Sequence, residues 1–201
     1  MSSKLIFLFF TSFMFSQKAD ATKTVDGFKV SFEKVNLKET WIGVMGSHSK
    51  QAFATYIEGD SSDKKQRYYQ TIKFQSSNFQ KKSAPIYLCI YENENGLPGK
   101  LIDKAKILLH IPSKKNSVSV DLSQKLIPVP HRGYFVGFEW IRSKENKING
   151  NAATEDSPYN PTISGFTANN INLYSYHGKW QKEADSHLVA GLELEIIYSD
   201  N

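Results

Sequence analysis

Residues 116–142 read NSVSVDLSQKLIPVPHRGYFVGFEWIR, and this stretch decides the fold class. In Asn116–Leu122, Val118, Val120 and Leu122 fall on one side of an extended chain, and Ser117, Ser119 and Asp121 fall on the other. A period of two marks a strand with one face in a core and one face in water. In Tyr134–Arg142 the same period groups Tyr134, Val136, Phe138 and Trp140. Its alternate side carries Phe135, Gly137, Glu139 and Ile141, so this strand is expected to be central and covered on both sides.

The pattern continues in both directions. Pro85–Glu92 sets Ile86, Leu88 and Ile90 against Tyr87, Cys89 and Tyr91. Leu188–Tyr198 alternates throughout and reads as one long terminal strand, with Glu193 and Glu195 on its polar side. Further strands are expected at Phe28–Val35, Thr40–Gly46, Ala52–Glu58, Tyr68–Gln75, Ala105–Ile111, Thr162–Ala168 and Ile171–His177. Asn93-Glu94-Asn95-Gly96 reads as a turn extended by Leu97-Pro98-Gly99, where Gly96 and Gly99 tolerate a positive φ and Pro98 donates to no ladder. Residues 143–161 form a long irregular stretch, and Trp180 follows Gly178-Lys179 in a late turn. Helical periodicity is nearly absent. The expected fold is all-β: a two-sheet antiparallel sandwich, jelly-roll-like, with about ten strands.

The chain has 201 residues, which predicts one domain. With 40% hydrophobic and 22% charged residues it is neither a disordered nor a membrane-embedded type. One cysteine excludes a disulfide framework and a cysteine-based zinc site. The net charge of +5 is spread over scattered lysine pairs such as Lys64–Lys65 and Lys81–Lys82. A nucleic-acid partner calls for a clustered basic stripe, so none is expected. At the N-terminus, Lys4 precedes an apolar run, Leu5–Phe15, with Ala19 and Ala21 in an A-x-A arrangement. This reads as a signal peptide over residues 1–21, with cleavage after Ser16 or Ala21, ahead of a single domain over 22–201. The run is too short to span a bilayer, so no stable membrane span is expected. The protein is expected to be exported, to the periplasm, cell surface or extracellular space.

From Tyr68 onward the order of features is YYQTIKFQ, PIYLCIYENENGLPGKLI, SVSVDLSQKLIPVP, GYFVGFEWI, NLYSYHGKWQK and LELEIIY. Over about residues 67–198 this resembles an uncharacterised β-sandwich module of exported bacterial envelope proteins, often labelled carboxypeptidase-like regulatory domain proteins. The resemblance rests on Ile90 and Tyr91, on Gly96, Pro98 and Gly99, on Val118, Val120, Asp121 and Leu122, on Phe135, Val136, Gly137, Glu139 and Trp140, and on Gly178, Lys179 and Trp180. It implies a sandwich fold and an envelope location, and it brings no catalytic residues with it. Structural roles account for the motif as well: Asp121, just before Ser123, is placed to accept backbone N–H bonds.

Chemistry-bearing patterns are sparse. His48, His110, His131, His177 and His187 show no metal-ligand spacing, so no metal and no cofactor are expected. Ser47 beside His48 does not make a catalytic couple, because neighbours on a strand point to opposite faces. Cys89 reads as a small buried hydrophobe. The paired carboxylates Glu193 and Glu195, or Glu139 beside Trp140, are what a secreted hydrolase of polysaccharide or peptidoglycan would use, and this is the alternative reading. Glu92–Asn95 gather oxygen ligands that a calcium ion accepts, without an EF-hand spacing. Aromatic side chains with a polar edge suit sugar rings and partner surfaces, which makes Trp180, Tyr159, Tyr174 and Tyr176 the candidate ligand-binding residues. The expected function is a non-catalytic envelope module that binds a glycan or an envelope protein. Addition of an exposed sheet edge to a partner is a third reading.

Overall fold

A computed structural model of the chain describes residues 29–30, 42–59, 65–148, 158–166, 172–183 and 191–200. The signal segment, His187 and the loop Gly59–Asp63 beyond Gly59 lie outside the described residues. The strands are β1 (Lys29–Val30), β2 (Ile42–Gly46), β3 (Ala52–Ile57), β4 (Arg67–Asn78), β5 (Ala84–Glu94), β6 (Leu97–Ile111) and β7 (Lys114–Asp121). They continue with β8 (Tyr134–Trp140), β9 (Tyr159–Phe166), β10 (Leu173–Tyr176), β11 (Trp180–Lys182), β12 (Gly191–Leu192) and β13 (Leu194–Asp200). A short 3-10 turn, Ser123–Lys125, follows β7.

The strands form two antiparallel sheets. The larger runs β1-β13-β4-β9-β12, with β2 added beside β9 and β7 beside β4. The smaller runs β11-β10-β3-β8-β5-β6. From β2 to β12 the chain changes sheet at every connection except the hairpins β5–β6 and β10–β11. That is the all-β, jelly-roll-like sandwich that the alternation predicts.

The inward sides of the alternating strands fill the space between the sheets. Ile72, Phe74, Ile163 and Ile196 of the larger sheet meet Ile86, Leu88, Val136 and Phe138 of the smaller one. The Phe74 and Phe138 rings pack edge-on at 4.7 Å. Trp140 is core, as its side of β8 requires, and its Nε1 donates to the Pro161 carbonyl at 2.7 Å. At one end Tyr69, Tyr134 and Tyr198 are buried together, and the Tyr134 and Tyr198 hydroxyls are hydrogen-bonded.

Several boundaries differ from the sequence reading. Thirteen strands are described where about ten were expected. The turn is only Asn95-Gly96, with φ of 55° and 83°. Two positive φ angles make the tight hairpin loop whose twist matches the flanking strands. Pairing therefore resumes at Leu97, and Pro98 lies in β6 opposite Asn93, on an edge strand where its missing donor costs no ladder bond. Gly99 has no positive φ; a Cβ there would meet the Glu94 side chain at 2.6 Å. The last strand is two segments, because it changes partner. Gly191–Leu192 pair with β9, the Glu193 N–H donates to Ser164 O at 2.9 Å, and from Leu194 the chain pairs with β4. β9 begins at Tyr159, not Thr162, and Lys147 bridges to it, so the irregular stretch is closed at both ends. Of Phe28–Val35 only Lys29–Val30 is described as strand.

Candidate functional site

β8 explains why the smaller sheet has a second buried face. Its inward side goes to the inter-sheet core, yet Phe135 on the other side is also fully buried. Register places three rows of side chains across that outer face. One row runs Tyr174–Ala54–Gly137–Cys89–Lys106. The next runs Trp180–Tyr176–Ala52–Glu139–Tyr87–Leu108. The third runs Tyr56–Phe135–Tyr91–Leu101. The centre is a floor of small residues and the flanks are aromatic.

The sheet curls toward this face until β11, one edge, packs near β6, the other. The flanking rings then meet over the floor. The Trp180 ring lies 5.2 Å from Tyr91 and 5.4 Å from Tyr176. Phe135 packs edge-on against Tyr174 at 4.9 Å and Tyr56 at 5.2 Å. Such edge-to-face pairs add about 0.5–1.5 kcal/mol each beyond their area. Gly137 is required by close approach: a Cβ there would lie 2.3 Å from the Phe53 carbonyl and 2.7 Å from the Ala54 Cβ. Ala54, Cys89 and Phe135 are sealed, while Tyr56, Tyr87, Tyr176 and Trp180 remain half-buried at the rim.

One polar corner opens to water. Lys106 Nζ donates to Glu139 Oε2 at 2.8 Å and stands 4.6 Å over the Tyr87 ring. The two side chains are 39% and 35% exposed. Burial works against the Lys106 charge, but the hydrogen bond and charge of Glu139 outweigh it and hold the ammonium above its ordinary value. In the floor, burial pushes the Cys89 thiol up to about 12, with the Glu139 charge adding to it and the Tyr91 hydrogen bond opposing. Burial, with Cys89 alongside, raises the Tyr91 phenol too. A thiol held protonated is a poor nucleophile.

Three of the four sequence-read ligand residues come together here: Tyr174 in the floor, Tyr176 and Trp180 at the rim. Trp180 opens β11 rather than sitting in the preceding turn. Tyr159 is not with them. It starts β9 in the larger sheet and is buried in the inter-sheet core, because nearness in sequence does not place it on the same sheet. The sequence reading missed Tyr56, Tyr87, Tyr91 and Phe135. For Tyr87, Tyr91 and Phe135 the signal was the apolar second side of β5 and β8; Tyr56, on β3, had none beyond its strand pattern.

The other candidates resolve locally. Glu139 is ion-paired on the outer face. Glu195 pairs with Lys73 at 3.4 Å on the larger sheet, and Glu193 is exposed where the strand changes partner. The Ser47 hydroxyl lies 3.1 Å from that of Ser49 and accepts the Lys50 N–H, so it is engaged in a turn. Asn93 Oδ1 accepts the Gly96 N–H at 2.8 Å within the hairpin, and Asp121 Oδ1 accepts the Ser123 N–H as expected. Among the described residues no group of three His, Cys, Asp or Glu side chains is arranged to hold a metal ion.

In sequence, no family model and no curated protein matches the chain. In three dimensions it is similar to the clostridial cysteine protease Cwp84 after propeptide cleavage, with a TM-score of 0.58 at 12% identity, over 88% of this chain and 41% of that one. It is also similar to a structure of the cysteine protease and lectin-like domains of Cwp84, a surface layer associated protein of Clostridium difficile. There the TM-score is 0.53 at 10% identity, over 76% of this chain and 33% of that one. The chain spans less than half the length of either structure. The likeness is one of fold. Among the described residues, no helix is long and apolar enough to cross a membrane.

Proposed function

We propose that the chain is an exported, non-catalytic binding module of the cell envelope that holds a glycan or an envelope protein against the curled face of its smaller sheet. The observation that carries this reading is the half-buried rim of Tyr176, Trp180, Tyr56 and Tyr87 around a sealed floor. Rigid amphipathic rings on a scaffold give contact area at low entropic cost. Two further facts support the reading. The fold is shared with a surface layer associated protein that has a lectin-like domain. The N-terminal apolar run, Leu5–Phe15 behind Lys4, has the composition expected of an export signal.

The non-catalytic part of the proposal draws support from Cys89, whose thiol is buried and held protonated at neutral pH. A cysteine-protease chemistry needs an accessible thiolate. The test is retention of the full chain on immobilised envelope polysaccharides and on an envelope extract, beside Trp180→Ala. Retention that the variant loses is the expected result. Retention unchanged in the variant would refute the site, and absence of retention on both matrices would refute the role.

A further inference from the structure

Resting on that binding role, we propose that Lys106 and Glu139, beside Tyr87, form a polar subsite that selects a neutral saccharide through two adjacent hydroxyl groups. The pair is a half-exposed polar corner at the rim of the face, at 39% and 35%, beside the sealed floor of Ala54 and Cys89. The Glu139 row runs Trp180–Tyr176–Ala52–Glu139–Tyr87, with Tyr87 beside Glu139 and Tyr176 one strand further on beyond Ala52, while Lys106 stands in the adjoining row of Cys89. An ammonium donates three hydrogen bonds and a carboxylate accepts about four. The contact of Nζ with Oε2 at 2.8 Å uses one of each.

A hydroxyl both donates and accepts. Two on neighbouring carbons satisfy the carboxylate and the ammonium together without separating the pair. The charges also decide against ionic ligands. An anion drawn to Lys106 meets Glu139 within hydrogen-bond distance, and a cation drawn to Glu139 meets Lys106. A neutral ring meets neither repulsion. Its C–H face suits the half-buried rings of Tyr176 and Trp180, 5.4 Å apart, while Lys106 covers one face of the Tyr87 ring at 4.6 Å and leaves its edge to the ligand. The Lys73–Glu195 pair supplies the contrast: it has similar exposure, but Ser119 is its cross-strand neighbour and, among the described residues, no ring contact accompanies it. An exposed ion pair adds only about 0–1 kcal/mol to stability, so folding alone does not call for the aromatic setting.

The experiment is calorimetric titration of the full chain with maltotriose, cellotriose and mannotriose, against trigalacturonate as the acidic comparator and chitosan trimer as the basic one. The expected result is binding of a neutral trisaccharide that does not change between about 50 and about 300 mM salt. Glu139→Gln and Lys106→Met are each expected to weaken it by about tenfold or more, the loss of one hydrogen bond to a charged group. Both variants should keep the wild-type circular dichroism spectrum. Preference for either charged trimer with a salt dependence overturns the proposal. So does a neutral affinity within about twofold of wild type in both variants. If Trp180→Ala abolishes binding while the polar variants keep it, this subsite is refuted and the binding role stands. If the trimers fail and an envelope protein is retained, the subsite is refuted and the role rests on the protein partner. If nothing is retained, both fall.

Discussion

The two sheets bury the same kind of inner face and present opposite kinds of outer face. On the larger sheet, Lys73, Gln75, Ser117, Ser119 and Glu195 stand in register and remain in water. On the smaller sheet, Cys89, Tyr91, Phe135 and Tyr174 are buried under Trp180 and their own neighbours. Curvature makes the difference. A sheet whose edges approach each other brings its outer side chains into mutual contact, and β11 near β6 does that. The smaller sheet therefore has a second hydrophobic face, whereas the far side of β4, β7 and β13 in the larger sheet is polar and open. The lesson is that exposure on a sheet's far side depends on the curl of the sheet as well as on which residues stand there.

The sharpest way to break this contrast is Phe135→Ala. If the outer face of the smaller sheet behaves as a core, the variant should lose about 3–5 kcal/mol in urea unfolding, as buried phenylalanines do. A loss below about 1 kcal/mol would make the face an ordinary surface. Gly137→Ala comes next. Its added methyl meets backbone at 2.3 Å, so a loss of about 1–3 kcal/mol is expected. The counterpart on the larger sheet, Ser119→Ala, should stay within about 0.5 kcal/mol. Equal effects at the two positions would erase the distinction.

Alkaline titration gives a smaller, graded effect. The folded Cys89 thiol is raised to about 12, and the Tyr91 phenol is raised as well. In the unfolded chain such groups ionise from about pH 8.5 to 10. The folded state thus keeps protons that the unfolded state releases, and stability falls as pH rises from about 9 toward 12. The urea midpoint followed across that range, with thiol labelling in parallel, reads this directly. Labelling of Cys89 in the native protein at pH 8 as fast as in urea would contradict the sealed floor. Lys73→Ala on the larger sheet should also have a small effect. Its partner Glu195 is 41% exposed, so a change under about 1 kcal/mol is expected, fading with salt.

Much of this was legible in the residues. The alternation in Pro85–Glu92 sorted Ile86, Leu88 and Ile90 from Tyr87, Cys89 and Tyr91 onto the two faces they occupy. The second apolar side of Tyr134–Trp140 marked that strand as covered twice. Trp180, Tyr174 and Tyr176 could be grouped because they stand on one hairpin. Tyr159 was misplaced and Tyr56, Tyr87 and Tyr91 were overlooked for one reason. Local periodicity gives the side of a strand, and it does not say which strands share a sheet.

The sequence by itself determined the period of two, the presence of a turn around Asn93–Gly96 and the inner faces of the sandwich, since each follows from backbone sterics and local hydrophobic pattern. Only the tertiary structure decided that β3, β5, β8 and β10 lie side by side, and that their far sides close around Ala54, Gly137 and Cys89. Pairing between distant segments and the curvature of a whole sheet are non-local, so no window of sequence contains them. That closure seals the floor and leaves Lys106 and Glu139 half in water at its rim.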